Sequence, residues 1–62
     1  MRYSELEKIL TKAGCFLKRN GRSHPLWYSP ITDRHFAMGH HKSEEVKRST
    51  LSKILKEAGV KL

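Results

Sequence analysis

Apolar residues recur with helical spacing at both ends of the chain. In segments 4–14 and 49–59 they fall at i, i+3, i+4 and i+7, and the two segments are identical at seven of eleven positions. This spacing places one apolar stripe along an amphipathic helix. The sequence therefore predicts two helices that bury the same kind of face, with stripes formed by Leu6, Ile9, Leu10 and Ala13 and by Leu51, Ile54, Leu55 and Ala58.

Polar residues and glycines indicate where the two helices begin and end. Ser4 followed by Glu7 is typical of a capping box, and Ser49 or Thr50 is the corresponding cap of the second helix. A glycine follows each apolar stripe and suits the left-handed residue that ends a helix. These signals predict the first helix within 4–14 and the second within 49–59.

The middle of the chain has a different pattern, made of short segments. Residues 15–19 are mixed apolar and basic, 24–29 are rich in aromatics, and 35–38 form a third short run. Turn-forming residues separate them at 20–23 and 30–34. Short connections make the strands antiparallel, with both helices on one face of the sheet. The predicted fold is α+β, in the order α-β-β-β-α, and its second sheet face is left to solvent or a ligand.

Two residues in this middle region have predicted positions of their own. Pro25 has no N–H to donate to a sheet, so it belongs at the first residue of the second strand. Cys15 is the only cysteine, so no internal disulfide can form. Because it follows a helix-ending glycine, we expect a small buried hydrophobe rather than a nucleophile.

Length and charge narrow the class of protein. A chain of 62 residues predicts one domain, 1–62, and its 13 Lys and Arg against 6 Asp and Glu leave a net charge of +7. That charge suits a nucleic acid, an anionic membrane or an acidic protein as the partner, and we favour a nucleic acid over a basic surface that serves only solubility. The N-terminal MRYSELEKIL lacks the apolar run of a signal peptide, and no segment is apolar enough to cross a membrane. We therefore expect a cytoplasmic protein with no membrane partner.

The histidines do not have the spacing of a metal site. His24, His35, His40 and His41 lack i+4 helical spacing and an accompanying set of Asp, Glu or Cys residues. The sequence also contains no glycine-rich phosphate loop and no recognisable nucleophile–base arrangement. We predict no metal and no other cofactor, and we expect His40 and His41 to be solvated or to face phosphates.

His24 is the best candidate for chemistry that the residues offer. It lies close to Lys18, Arg19 and Arg22, in the arrangement that a metal-free ribonuclease needs. Imidazole can give and take a proton near neutral pH, and the cations can offset charge on a reacting phosphate. Trp27 and its neighbour alternate across the second strand, so one ring packs on the helices and the other could stack on a base. A lone histidine in a turn is nonetheless more often structural, and composition cannot overturn that expectation.

At these residues the chain resembles the HicA family, also called the YcfA-like family, of toxins from bacterial toxin–antitoxin systems. The resemblance covers nearly the whole chain. It includes the helix ending in Ala-Gly (13–14), the glycine three residues before His24, the aromatic pair and proline at 27–30, the basic loop with His41, and the helix TLSKILKEAG (50–59). The chain departs from many members in having Arg22 where they have glycine.

The resemblance implies a fold like that of double-stranded RNA-binding domains and a metal-independent mRNA-cleaving toxin with His24 as its general acid or base. It also implies neutralisation by a HicB-type antitoxin, and contact with operator DNA only through the complex with that antitoxin. The predicted RNA-binding residues are Lys18, Arg19, Arg22, Ser23, Trp27, His41, Lys47, Arg48 and Lys53.

Two other hypotheses remain open at this point. The chain could be a non-catalytic RNA-binding module of the same shape, which would bind RNA without cleaving it and would be indifferent to His24. It could also be a protein-binding domain whose basic face meets an acidic partner. RNA cleavage that depends on His24 would distinguish the ribonuclease toxin from both of these alternatives.

Overall fold

The chain folds as a helix, three strands and a second helix, as the sequence predicts. A computed structural model describes residues 1–39 and 41–62. The elements are α1 (Tyr3–Lys12), β1 (Phe16–Asn20), β2 (Pro25–Ser29), β3 (Arg34–Ala37) and α2 (Arg48–Ala58). The predicted order α-β-β-β-α and the α+β class are confirmed.

The three strands form one antiparallel sheet with β2 at its centre. Trp27 of β2 pairs with Phe36 of β3, and both side chains are buried in the core with residues from α1 and α2. Tyr28, the next residue along β2, pairs with Phe16 and His35 on the other face. Because side chains alternate across a strand, the two helices cover one face of the sheet and leave the second face open.

Both helices end in the same way, which explains the repeated Ala-Gly. Gly14 and Gly59 have positive φ angles of 105° and 71°. The N–H of the following residue bonds back to an equivalent leucine in each copy, from Cys15 to the Leu10 carbonyl at 2.9 Å and from Val60 to the Leu55 carbonyl at 3.0 Å. These bonds satisfy carbonyls that a helix end leaves unpaired. The predicted glycine stops are confirmed.

The predicted helix caps are wrong. Ser4, Ser49 and Thr50 lie inside the helices, whose N-caps are Arg2 and Lys47. In α1 the loop before α2 replaces a side-chain cap, since the N–H groups of Tyr3 and Ser4 donate to carbonyls at 44 and 42 at 3.1 and 2.9 Å. The helix therefore begins one residue before the predicted cap, and its first turn is joined to that loop.

Hydroxyl groups fasten the far end of α2 to the sheet. Ser29, which is buried, donates to the Ala58 carbonyl at 2.5 Å, and Thr32 donates to the Glu57 carbonyl at 2.5 Å. These are helix-terminal carbonyls without partners in the helix. Ser29 is the last residue of β2, and Thr32 lies in the turn after it. The two bonds therefore hold the C-terminal end of α2 against the strand that begins next to His24.

Smaller predictions about the middle of the chain also hold. Pro25 is the first residue of β2, and Cys15 is buried in the core. None of the helices in the described residues is long and apolar enough to span a membrane.

Candidate active site

Three of the predicted site residues line one cleft. His24, His41 and Lys53 surround an open cavity of about 470 Å³ between the start of β2, the loop after β3 and one face of α2. This volume lies in the range of small-ligand sites. We refer to it as the histidine cleft; its remaining lining residues are Tyr3, Ala37, Met38, Gly39, Glu44, Thr50, Ile54 and Glu57.

A tight turn places His24 at the edge of the histidine cleft. Asn20 and Pro25 are ladder partners, so the chain reverses direction in four residues. A Cβ atom added at Gly21 would lie 2.5 Å from the His24 carbonyl oxygen, far inside van der Waals contact. The glycine that precedes His24 by three residues is therefore required by the close approach of the backbone. The Pro25 carbonyl accepts the Met38 N–H at 3.0 Å, which holds His24 beside the end of β3.

His41 reaches the same cleft from a loop that is docked on α1. Its carbonyl accepts the Glu44 N–H at 3.0 Å, closing a turn. The next carbonyl, of Lys42, accepts from the first turn of α1. His41 is thus held by the same bonds that start the first helix. His40 lies outside the described residues, so the prediction for the adjacent pair is addressed for His41 alone.

Lys53 lies on a face of α2 that borders the apolar stripe. Thr50, Lys53 and Glu57 follow one another at helical spacings of three and four, so they share one side of the helix and all line the cleft. Glu44 stands on the loop side. The cleft therefore combines two imidazoles and one ammonium group with two carboxylates. Sequence reasoning missed Thr50 and Glu57, although their spacing from Lys53 is visible.

The remaining basic residues of the predicted set lie elsewhere on the molecule. Lys47 borders a second depression that shares Tyr3, Glu44 and Thr50 with the histidine cleft. Arg48 is exposed at the first residue of α2, and Arg22 and Ser23 are exposed in the turn before His24. Lys18 and Arg19 belong to β1, away from the cleft lining. Their roles remain predictions.

Trp27 is the one member of the predicted RNA-binding set that its position contradicts. Its side chain is only 6% exposed and belongs to the core with Phe36, Met38 and Ile54. A buried ring has no free face on which a base could stack. Of the two aromatics of β2, Trp27 lies on the covered face and Tyr28 on the open face.

A substitution at Gly21 tests how tightly the turn controls His24. On the hypothesis that His24 takes part in RNA cleavage, Gly21→Ala should lower the cleavage rate by about 10- to 100-fold, since small displacements of a reacting group have effects of that size. Because the added Cβ meets backbone, the melting temperature should also fall, so circular dichroism at the assay temperature has to verify that the variant is folded. Cleavage rates of Gly21→Ala and of the neighbouring control Asn20→Ala would check this. An unchanged rate for Gly21→Ala would show that the turn does not position the histidine.

Potential metal ligands do not converge in the part of the chain that the structure describes. No group of three or more His, Cys, Asp or Glu side chains among residues 1–39 and 41–62 could hold a metal ion.

Comparison with known protein families identifies the chain's relatives. The model of a family described as the HicA toxin of bacterial toxin–antitoxin systems matches residues 3–60, which include all five elements and the whole cleft lining. The chain belongs to the HicA toxin family. As a HicA protein it is a toxin component, and a cognate HicB antitoxin is implied. Searches of curated proteins and of solved structures gave no significant match.

Proposed function

We propose that this HicA protein is a metal-independent endoribonuclease, an mRNA interferase of the cytoplasm, with His24 as general acid or base. The observation that carries the proposal is that His24 shares one cleft with His41 and Lys53, in a toxin of net charge +7. Cleavage of an RNA phosphodiester requires a proton-transfer group next to a site for the charged phosphate. These three side chains supply both.

The reaction follows from the chemistry of RNA. The 2′-oxygen attacks the adjacent phosphorus while a base removes its proton, and the bond from phosphorus to the 5′-oxygen breaks as that oxygen receives a proton. The products are a 2′,3′-cyclic phosphate and a 5′-hydroxyl. His24 performs one of the two proton transfers, and the Lys53 ammonium offsets the charge that grows on the phosphate oxygens. His41, which lines the same cleft, binds the RNA backbone.

Cleavage of purified RNA in EDTA tests the proposal. The wild-type protein should cut RNA and leave 2′,3′-cyclic phosphate and 5′-hydroxyl ends. An RNA with 2′-O-methyl groups should remain intact, because its 2′-oxygens cannot attack. A preparation of His24→Ala controls for contaminating nuclease, and equal cleavage by both proteins would refute the proposal.

The HicB-type antitoxin would suppress this activity by covering the histidine cleft. Addition of the antitoxin should then protect RNA in the EDTA assay. In this proposal the toxin contacts operator DNA only as part of the complex with its antitoxin.

The second candidate is a non-catalytic RNA-binding module. It is favoured by one observation, that Glu44 and Glu57 line the cleft and place negative charge near the proposed phosphate position. This candidate predicts RNA binding without cleavage and no effect of His24→Ala. The EDTA assay therefore separates the two candidates.

Lys53 provides a test of where phosphate binds. In a His24→Ala background, Lys53→Ala should weaken RNA binding and lower the slope of log affinity against log salt by about 0.7 to 0.9, the value for one phosphate contact. Lys12→Ala is the matched control, because Lys12 is exposed in the last turn of α1 and outside the cleft lining. Equal slopes for the two variants would place the phosphate away from Lys53.

A further inference from the structure

The open face of the sheet carries a row of rings that the proposed cleavage mechanism does not use. Phe16, Tyr28 and His35 are successive ladder partners across β1, β2 and β3. The ring centroids of Phe16 and Tyr28 are 5.5 Å apart, and those of Tyr28 and His35 are 5.1 Å apart. None of the three belongs to the cleft lining or to the core.

The outer two rings, Phe16 and His35, are exposed, and the central ring of Tyr28 is half-buried and held in place. Phe16 is 47% exposed, a large fraction for a phenylalanine in a sheet. The Tyr28 hydroxyl donates a hydrogen bond to the Asp33 carboxylate in the turn after β2, and this bond, with the nearby negative charge, raises the pKa of the phenol above its usual range. The ring is therefore fixed at its far end. Rigid, exposed aromatic surface is suited to stacking.

Two cations lie on β1 next to the rings. The ladder shifts register between Leu17 and Arg19, so that Lys18 and Arg19 lie together opposite Leu26. Arg19 pairs with Leu26, which alternates with Trp27 and so lies on the same face as Tyr28. Both basic residues are exposed. The irregular strand thus concentrates positive charge beside the aromatic row.

We propose that this second face of the sheet, defined by Phe16, Tyr28, His35, Lys18 and Arg19 and called here the stacking face, binds single-stranded RNA. Two successive bases stack on the rings of Phe16 and Tyr28, and the phosphates between and beside them contact Lys18 and Arg19. Exposed rings with adjacent cations on strands are a recurring way to bind single strands without sequence preference. The site is separate from the histidine cleft and does not require His24.

The charge of the face decides between RNA and a protein as its occupant. An exposed apolar patch alone would suit either. Here the patch is flanked by cations on a chain of net charge +7, and its carboxylate, Asp33, is engaged by Tyr28. A polyanion with flat bases matches this combination better than a hydrophobic protein surface, because it satisfies the rings and the cations together.

Binding of a short, labelled oligouridine to the His24→Ala protein tests the inference without cleavage. Phe16→Ala should weaken affinity by about 5- to 100-fold, the effect of losing one base–aromatic stack. Lys18→Ala should lower the salt slope by about 0.7. Leu17→Ala is the matched control, because Leu17 is 46% exposed in the same strand but pairs with Trp27 of the covered face. It should leave affinity unchanged.

Equal affinities of Phe16→Ala and Leu17→Ala would overturn the inference, as would a Phe16→Ala variant that loses antitoxin binding while keeping RNA binding. The latter result would make the face a protein-docking surface. Failure of the cleavage proposal has a different signature. If His24→Ala cuts RNA as fast as wild type, the proposed catalytic role of His24 is refuted. The stacking face is judged by oligouridine affinity alone. In the active protein, Phe16→Ala should raise KM and leave kcat unchanged.

Discussion

His24→Ala is expected to lower the rate of RNA cleavage by about 10²- to 10⁴-fold, the usual contribution of one general acid or base. The loss should appear in kcat, because in the proposed mechanism His24 acts in the proton transfer, while Lys53 and His41 remain in the cleft to bind the substrate. His24 is exposed and outside the core, so the fold should survive the substitution. Single-turnover cleavage at saturating RNA, with circular dichroism to verify folding, would measure the effect.

A second substitution separates proton transfer from positioning. Asparagine can form hydrogen bonds but cannot accept a proton near neutral pH, so His24→Asn should be as inactive as His24→Ala. Wild-type activity in His24→Asn would show that His24 only orients the RNA.

The helices and strands could be predicted because their signals are local. The i, i+3, i+4, i+7 stripe and the trailing glycine lie within each helix, and both proved correct at Gly14 and Gly59. The caps failed because the start of α1 is set by a distant loop. The carbonyl groups at 42 and 44 accept the N–H groups of its first turn, which removes the need for a serine cap. No local signal at Ser4 could indicate that bond.

The site could be predicted only in part, for a similar reason. Spacing indicated that Trp27 and Tyr28 face opposite sides, but it could not show which side the helices cover. Likewise, the loop that brings His41 toward His24 is held by the N–H groups of Tyr3 and Ser4 in α1, which are far away in sequence. The family resemblance gave the candidate histidine, and the fold gave the neighbours with which it could act.

Trp27→Ala is expected to reduce the free energy of unfolding by about 3–5 kcal/mol, as for other large aromatic side chains removed from a core. For 62 residues, a typical stability of 0.05–0.15 kcal/mol per residue amounts to about 3–9 kcal/mol, so the loss would unfold much of the protein at room temperature. Removal of the buried ring leaves a cavity between the sheet and both helices, since Trp27 packs in the same core as Leu6 and Ile54.

Urea titration followed by circular dichroism would measure this loss of stability. Tryptophan fluorescence cannot be used, because the substitution removes the only tryptophan. Phe16→Ala is the informative counterpart. It removes an exposed ring from the adjacent strand, so it should weaken RNA binding and leave stability nearly unchanged. At position 27 itself, Trp27→Phe should recover much of the stability lost in Trp27→Ala. If Trp27→Ala instead unfolded like wild type but bound RNA poorly, Trp27 would be an RNA contact after all. The opposite effects expected for these two rings follow from the face of the sheet that each one occupies.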